Sequence, residues 1–318
     1  MIIKKEVNMH IVILDSKTLG EDLDLTPLLK FGELSNFQTT TEEETADRIE
    51  DADIIITNKV VITEKMMKEA NNLKLICIAA TGMNNVDLEA AKELEITVKN
   101  VTAYSTSSVV QHTFTMALNL MGKLDYYQNT VKDKTWSNSQ LFTDVSQPFN
   151  EIAGKTWGII GLGTIGKEVA RVAEAFGATI DYFSTSGQNK INDYHHSKLD
   201  ELLKISDIIS IHAPLNEQTK NLINANNLHL IKEKAILLNL GRGGIVNEED
   251  LAKELNKREI YAALDVCEVE PISENNPLLS LEHPNRLLIT PHIAWASVEA
   301  RQRLLVGIIE NIETFLKQ

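Results

Sequence analysis

The run Trp157-Gly-Ile-Ile-Gly-Leu-Gly-Thr-Ile-Gly166 constrains this chain more than any other segment. Gly158-Ile159-Ile160 is apolar enough for a buried strand, and Lys167 to Phe176 has helical apolar spacing. Gly161, Gly163 and Gly166 therefore fall where a strand turns into a helix. That setting predicts a pyrophosphate site. Gly161 permits the tight turn, Gly163 lets the backbone approach the phosphates, and Gly166 lets helix and strand pack closely. The helix N-terminus adds free N–H groups and the positive end of its dipole. The glycine spacing alone is a weak signal; the strand before it and the helix after it make it strong.

At 318 residues the chain exceeds what one hydrophobic core covers, so two domains are expected, and 43% hydrophobic residues are enough to fill them. With 31 basic against 45 acidic side chains the formal charge is -14, and the basic residues are scattered; both facts argue against a nucleic-acid or anionic-membrane surface. Cys77 and Cys267 stand in apolar surroundings without a C-x-x-C, so two buried or half-buried thiols are expected, with no disulfide framework and no thiolate metal site. No apolar run approaches the roughly 18 residues needed to span a bilayer. Met1 to Asn8 lacks the apolar region of a signal peptide and reads as a short extension, so a cytoplasmic enzyme is expected.

Strand-like runs recur at His10 to Leu14, Asn36 to Thr40, Asp53 to Thr57, Leu73 to Ile78 and Ile96 to Val98, with short helices expected at Glu42 to Ile49 and Glu64 to Ala70. Thr26-Pro27 reads as an N-cap followed by Pro at the first helical position. A second series covers Thr156 to Ile160, Thr179 to Phe183, Ile208 to His212, Ala235 to Leu240, Tyr261 to Asp265 and Arg286 to Ile289. Alternation of this kind predicts an α/β protein with a parallel sheet in each half. Ser107 to Met121 is expected to be a long helix, 131–151 an irregular arm, and Val298 to Leu316 a last helix beyond the final strand.

Ligands of open α/β sheets bind outside the carboxyl ends of the strands. Arg242, in Asn239-Leu-Gly-Arg-Gly-Gly244, follows one strand; Glu270, in Asp265-Val-Cys-Glu-Val-Glu-Pro271, and His292, in Thr290-Pro-His292, follow two others. Singly they read as a surface Arg in a glycine turn, a solvated acidic loop and a structural ring. Together they make an acid–base set. A guanidinium offers a planar fork to a carboxylate or carbonyl, and a carboxylate beside an imidazole stabilises the imidazolium that a general acid must hold. His10, His112, His195, His196, His229 and His283 are weaker candidates. None has metal-ligand spacing, and no metal site is expected.

These residues stand in ordered motifs that cover nearly the whole chain: Ala80-Thr-Gly-Met-Asn-Asn-Val-Asp87, Ser108-Val-Val-Gln-His-Thr113, the glycine loop, His212-Ala-Pro-Leu215 with Thr219, and the three strand-end segments above. The chain resembles the D-isomer specific 2-hydroxyacid dehydrogenases. Ala103-Tyr-Ser-Thr106, Gln111 and His292 to Ser297 followed by Glu299-Ala-Arg301 are most similar to glycerate dehydrogenases, also called hydroxypyruvate reductases.

The resemblance implies a Rossmann cofactor domain, 101–290, inserted in a flavodoxin-like substrate domain, 1–100 and 291–318, with the active site in the cleft and a homodimer built partly by the helix from residue 107. It implies that Arg242 binds the substrate carboxylate and carbonyl, that His292 gives or takes the proton, and that Glu270 orients His292. Backbone N–H groups near Gly82 and Met83 would hold the substrate carboxylate. Ser108, Thr164, Ile165, Ala213, Pro214, Leu240, Gly241 and Asp265 would join the three glycines around the cofactor, with Asp265 at the carboxamide. The family's NAD users carry an acidic residue at the end of the second cofactor strand, and here that place falls on Ser184, followed by Thr185. Hydroxyls there, with Lys190 the nearest cation, leave NAD and NADP both open, NAD ahead.

The expected activity is hydride transfer between NAD(P)H and C2 of a small D-2-hydroxy or 2-keto acid, hydroxypyruvate and glyoxylate foremost. Another 2-keto acid of the family, of phosphoglycerate or D-lactate type, and a non-catalytic NAD-sensing scaffold are the alternatives. The stop at Gln318 directly after the last helix argues against an appended regulatory domain.

Overall fold

A computed structural model describes residues 8–187 and 193–318. Lys190 and the first seven residues, on which two expectations fell, lie outside the described residues. The chain divides into two compact units: one runs to Ser105 and takes up again at Ala296–Gln318, and the other is Thr106–Trp295.

The first unit is a parallel sheet of β1 (Met9–Ile13), β2 (Gly32–Asn36), β3 (Ile54–Thr57), β4 (Leu75–Ile78) and β5 (Thr97–Lys99), in the order β2-β1-β3-β4-β5. Its helices are α1 (Glu42–Ile49), α2 (Glu64–Glu69), α3 (Leu88–Glu93) and the last helix, α9 (Val298–Phe315), which packs against β4. Central strands β3 (IIIT) and β4 (LICI) are buried at every position, as parallel strands covered on both faces require. Two expectations fail here. The second strand lies at Gly32–Asn36, not at Asn36 to Thr40, because it is a half-exposed edge whose sequence GELSN carries no apolar run. Thr26 does not cap a helix: it opens a 3-10 helix, and its N–H is taken by Asp24 Oδ1 at 2.9 Å.

The order of this sheet reverses between β1 and β3. That is where the topology usually takes a ligand, and here the chain fills the place itself. The buried carboxylate of Asp15 accepts the N–H groups of Asn58 at 2.9 Å, Lys59 at 2.6 Å and Val60 at 3.3 Å. Burial raises the Asp15 pKa against the lowering effect of these three donors.

The second unit begins with α4 (Thr106–Gly122) and α5 (Leu124–Lys132), then alternates β6 (Thr156–Ile160), α6 (Thr164–Ala175), β7 (Thr179–Phe183), β8 (His195–His196), α7 (Leu199–Ile205), β9 (Ile208–Ile211), β10 (Ile236–Asn239), α8 (Glu248–Lys257), β11 (Tyr261–Leu264) and β12 (Leu287–Ile289). The parallel sheet runs β12-β11-β10-β9-β6-β7-β8 and switches direction between β6 and β9. One face packs under α4 and α6 around Trp157, whose indole N–H reaches Ser210 Oγ at 2.9 Å and whose ring meets Phe114 at 4.8 Å. The other face packs on α7 and α8 through Leu202, Ile209, Leu237 and Leu251. His195 and His196, in no strand-like run of the sequence, extend the sheet beside Asp181 and Tyr182; two polar residues at an edge leave no periodicity to read.

Candidate active site

Every residue expected to bind cofactor or move a proton lies in the second unit, Ser108 on α4 and the others at or just beyond the carboxyl ends of its strands; Gly82 and Met83, expected to hold the substrate carboxylate, lie in the first. At the switch point, Gly161 sits at φ +92°, and a Cβ there would stand 2.9 Å from the backbone nitrogen of Ala213. Only glycine turns the chain that tightly against the next loop. Gly163 caps α6 without a side chain, the space its Cβ would occupy is open, and no acidic residue stands in the first turn. Thr164 and Ile165 begin the helix, so free N–H groups face open space at the positive end of a 12-residue helix, a fit for a pyrophosphate.

At the end of β7, Ser184 is buried and its hydroxyl has no partner among the described residues. Asp181, on the opposite face of the same strand, accepts Ser197 Oγ at 2.6 Å and lies 3.3 Å from His195 Nδ1, so its carboxylate is committed away from Ser184. Thr185 follows Ser184 in a turn. Across the switch point, the His212 ring has both nitrogens buried and unpartnered among the described residues, and burial pushes its pKa down to about 3. A neutral imidazole there carries one N–H with no acceptor among the described residues. Ala213 is buried, and Pro214 offers its carbonyl to Thr219 Oγ1 at 2.7 Å.

Beyond β10, Asn239 shapes the loop: its Oδ1 accepts Gly241 N–H at 3.1 Å and its Nδ2 donates to the Arg242 carbonyl at 2.9 Å. Leu240 and Gly241 are thereby tucked in, and the exposed Arg242 guanidinium projects with one hydrogen bond, to the Gly241 carbonyl at 2.8 Å. It pairs with no carboxylate among the described residues. A Cβ on Gly243 would lie 1.8 Å from the Cys267 carbonyl, so this loop and the one bearing Glu270 touch backbone to backbone.

The imidazole of His292 and the carboxylate of Glu270 meet at 2.6 Å, Nδ1 to Oε2. The other carboxylate oxygen, Oε1, accepts the N–H of Cys267 at 3.0 Å, which fixes its direction. Because Nδ1 is engaged by the carboxylate, Nε2 is the nitrogen left for a reacting group. The Cys267 thiol is itself no nucleophile: burial first, then the charges of Glu248, Glu270 and Asp265, push its pKa up to about 11. His292 stands at φ +55°, a left-handed conformation that costs a non-glycine residue about 1 to 2 kcal/mol. Its N–H offsets this by donating to the Asp265 carbonyl at 2.8 Å.

Several supporting contacts escaped sequence reasoning. Buried Asp265 accepts Thr290 Oγ1 at 2.6 Å and Ile293 N–H at 2.9 Å on Oδ1, and Ala294 N–H at 2.8 Å on Oδ2. Its carboxylate thus shapes the loop that carries His292, in addition to whatever it offers a cofactor. Ser108 Oγ donates to the Ala294 carbonyl at 2.6 Å, and His112 Nε2 lies 3.1 Å from Thr290 Oγ1. Glu248 accepts Glu268 N–H at 2.6 Å and so holds the acidic loop in place. A paired Ser and His four residues apart on one helix was the only sequence signal for the α4 contacts.

In the first unit, the loop after β4 is held by Asn100 Nδ2 on the Thr81 carbonyl at 2.6 Å and by Thr81 Oγ1 on the Val101 carbonyl at 3.1 Å. Gly82 and Met83 are half-buried, and neither N–H donates to another described residue. Among the described residues no group of His, Cys, Asp and Glu side chains could hold a metal ion.

Residues 114–294 match the family model described as D-isomer specific 2-hydroxyacid dehydrogenase, NAD binding domain. A glycerate dehydrogenase of Methylorubrum extorquens is 38% identical over 279 residues, covering 87% of each chain. A hydroxypyruvate reductase of Blautia hydrogenotrophica is 35% identical over 316 residues, 97% of each chain. Among solved structures, an acyclic imino acid reductase in complex with NADPH and D-Arg superposes with a TM-score of 0.85 at 30% identity over 98% of both chains. With a glycine cradle that fits a dinucleotide and an imidazole–carboxylate pair at the end of its strands, the chain belongs to the D-isomer specific 2-hydroxyacid dehydrogenases, an oxidoreductase family using NAD or NADP.

Proposed function

We propose that this enzyme reduces hydroxypyruvate and glyoxylate to D-glycerate and glycolate, and runs the reverse oxidation when product accumulates. The observation that carries the reading is the 2.6 Å contact of His292 Nδ1 with Glu270, which leaves Nε2 for the substrate oxygen. The identities to a glycerate dehydrogenase and a hydroxypyruvate reductase support the substrate class.

The reduced nicotinamide, when bound, supplies a hydride to C2. As that C–H bond forms, the carbonyl π pair moves onto oxygen and takes the proton from His292 Nε2; the imidazole left behind keeps Nδ1–H on Glu270. The Arg242 fork holds the substrate carboxylate and polarises the carbonyl, and the free N–H groups of Gly82 and Met83 are assigned to the same carboxylate. Gly161, Gly163, Thr164, Ile165 and Gly166 are assigned to the pyrophosphate, Ser184 and Thr185 to the adenosine ribose, Ala213 and Pro214 to the adenosine side, Leu240 and Gly241 to the nicotinamide side, and Ser108 and Asp265 to the nicotinamide neighbourhood.

The reading includes a homodimer in the cytoplasm. A groove of about 420 Å³ beside α4 and α6 is lined by Gln111, Phe114, Leu118, Val172 and Phe176. The arm after α5 exposes Leu141, Phe142, Val145 and Phe149, of which Phe142 is 90% exposed. Apolar surface of this kind supports a second copy. Among the described residues no helix is long and apolar enough to cross a membrane.

Oxidation of NADH and NADPH, followed by absorbance against hydroxypyruvate, glyoxylate, pyruvate and phosphohydroxypyruvate, tests the reading. Highest kcat/KM is expected for the first two. A preference for pyruvate or phosphohydroxypyruvate moves the assignment within the family, and tight cofactor binding with no turnover on any of the four favours a sensing scaffold.

A further inference from the structure

Two side chains of α4, Ser108 and His112, grip the segment that carries His292. Ser108 and His112 are four residues apart and share one face of the helix. Ser108 Oγ donates to the Ala294 carbonyl at 2.6 Å, and His112 Nε2 meets Thr290 Oγ1 at 3.1 Å. These contacts fall on either side of residue 292.

The direction of the hydrogens follows from the partners. Thr290 Oγ1 has one hydrogen, and it goes to Asp265 Oδ1 at 2.6 Å, where a carboxylate can only accept. Towards His112, Thr290 Oγ1 is therefore the acceptor, so Nε2 of His112 must carry the hydrogen. The chain runs from His112 Nε2–H to Thr290 O–H to Asp265 Oδ1. That carboxylate also accepts Ile293 N–H at 2.9 Å and, through Oδ2, Ala294 N–H at 2.8 Å. His112 Nε2 itself stands 3.6 Å from Asp265 Oδ1, so the imidazole faces the carboxylate as well as the hydroxyl. Both ends of a segment held at a left-handed His292 are thus tied to one rigid helix face.

We infer that His112, with Ser108, is a positioning residue for the proton transfer: through Thr290 and Asp265 it sets the orientation in which His292 presents Nε2 to the substrate. Neither side chain needs to touch substrate. The inference rests on the reading of His292 as proton donor, and its test has one arm that does not.

Leucine at 112 removes the donor, whereas glutamine keeps an N–H that can reach the same acceptor. With hydroxypyruvate as substrate, H112L is expected to lose about tenfold in kcat, the lower end of what a ligand-orienting partner contributes, with KM and cofactor Kd within about twofold of wild type. H112Q is expected to recover to within about threefold of wild type. A wild-type kcat in H112L, an H112Q as slow as H112L, or a loss that appears in KM or cofactor Kd instead would each overturn the inference. Should H112L fail to fold, Thr290→Val is expected to show the same kcat loss and Thr290→Ser to keep its rate; a Thr290→Val enzyme at full rate overturns it. The independent arm is nitrogen-15 NMR of the cofactor-free protein, in which His112 is expected as the Nε2–H tautomer. An Nδ1–H tautomer overturns the chain of donors even in an enzyme active on none of the keto acids, and the expected tautomer in such an enzyme keeps the clamp while the functional reading falls.

Discussion

Replacing Glu270 by glutamine tests the acid–base pair by changing one heavy atom, an oxygen to a nitrogen. The carboxylate serves two donors at once, His292 Nδ1–H on Oε2 at 2.6 Å and Cys267 N–H on Oε1 at 3.0 Å. An amide has one acceptor oxygen. If that oxygen stays with His292, the amide NH2 is turned against the Cys267 N–H; if it stays with Cys267, the NH2 is turned against Nδ1. Either way one charge-assisted hydrogen bond is lost, worth about 1.5 to 3 kcal/mol to a charged group. The Glu270 side chain is 35% exposed, so solvent screening favours the lower half of that range. At about 1.4 kcal/mol per factor of ten, kcat for hydroxypyruvate reduction should fall about 10- to 50-fold. Cofactor Kd, read by quenching of protein fluorescence, should stay within about twofold, since the pair is assigned to proton transfer and not to cofactor binding. An E270Q enzyme with wild-type kcat, or one whose loss lies wholly in cofactor affinity, would refute the reasoning.

Three further outcomes follow from the same geometry. His212 is held neutral in the fold with its pKa near 3, below the ordinary 6.5, so the unfolded chain binds the extra proton between those values; stability should fall as pH drops through that window, by up to about 1.4 kcal/mol per pH unit. His212→Leu should flatten the slope of denaturant midpoint against pH between 6.5 and 5, and an unchanged slope counts against the assignment. Arg242→Lys keeps the charge but loses the planar fork, so KM for the keto acid should rise at least about tenfold with the fold intact by circular dichroism; a normal KM would remove Arg242 from carboxylate binding. Ser184→Asp restores a carboxylate at the end of β7 and should weaken NADPH binding at least about tenfold while NADH changes little, measured by titration; equal effects on both cofactors would place the 2'-group elsewhere.

The parts of the fold legible in the sequence are those buried on both sides. β3, β4, β9 and β10 are four-residue strands with every position buried, and their apolar runs state as much. The edges β2 and β8 carry GELSN and His-His, sequences indistinguishable from loops until a neighbouring strand supplies their hydrogen bonds. At the site, Arg242, Glu270 and His292 could be singled out because each follows an apolar strand. The dual burden on Glu270 could not, since its second partner is a backbone N–H. Nor could the grip of His112 on Thr290, which joins residues 178 positions apart and depends on how α4 lies on the sheet. Asp265 shows the limit of resemblance: its family part is at the cofactor, yet here its oxygens also accept three donors from the His292 loop.

The most direct measurement is the turnover of His292→Asn with hydroxypyruvate and reduced cofactor, alongside cofactor binding to the same variant. With the proton donor gone, kcat should drop by at least about a thousandfold, within the range of general acid–base catalysis, while cofactor Kd remains near that of the wild type. A variant that keeps more than about a tenth of wild-type kcat would contradict the assignment of residue 292 as the acid.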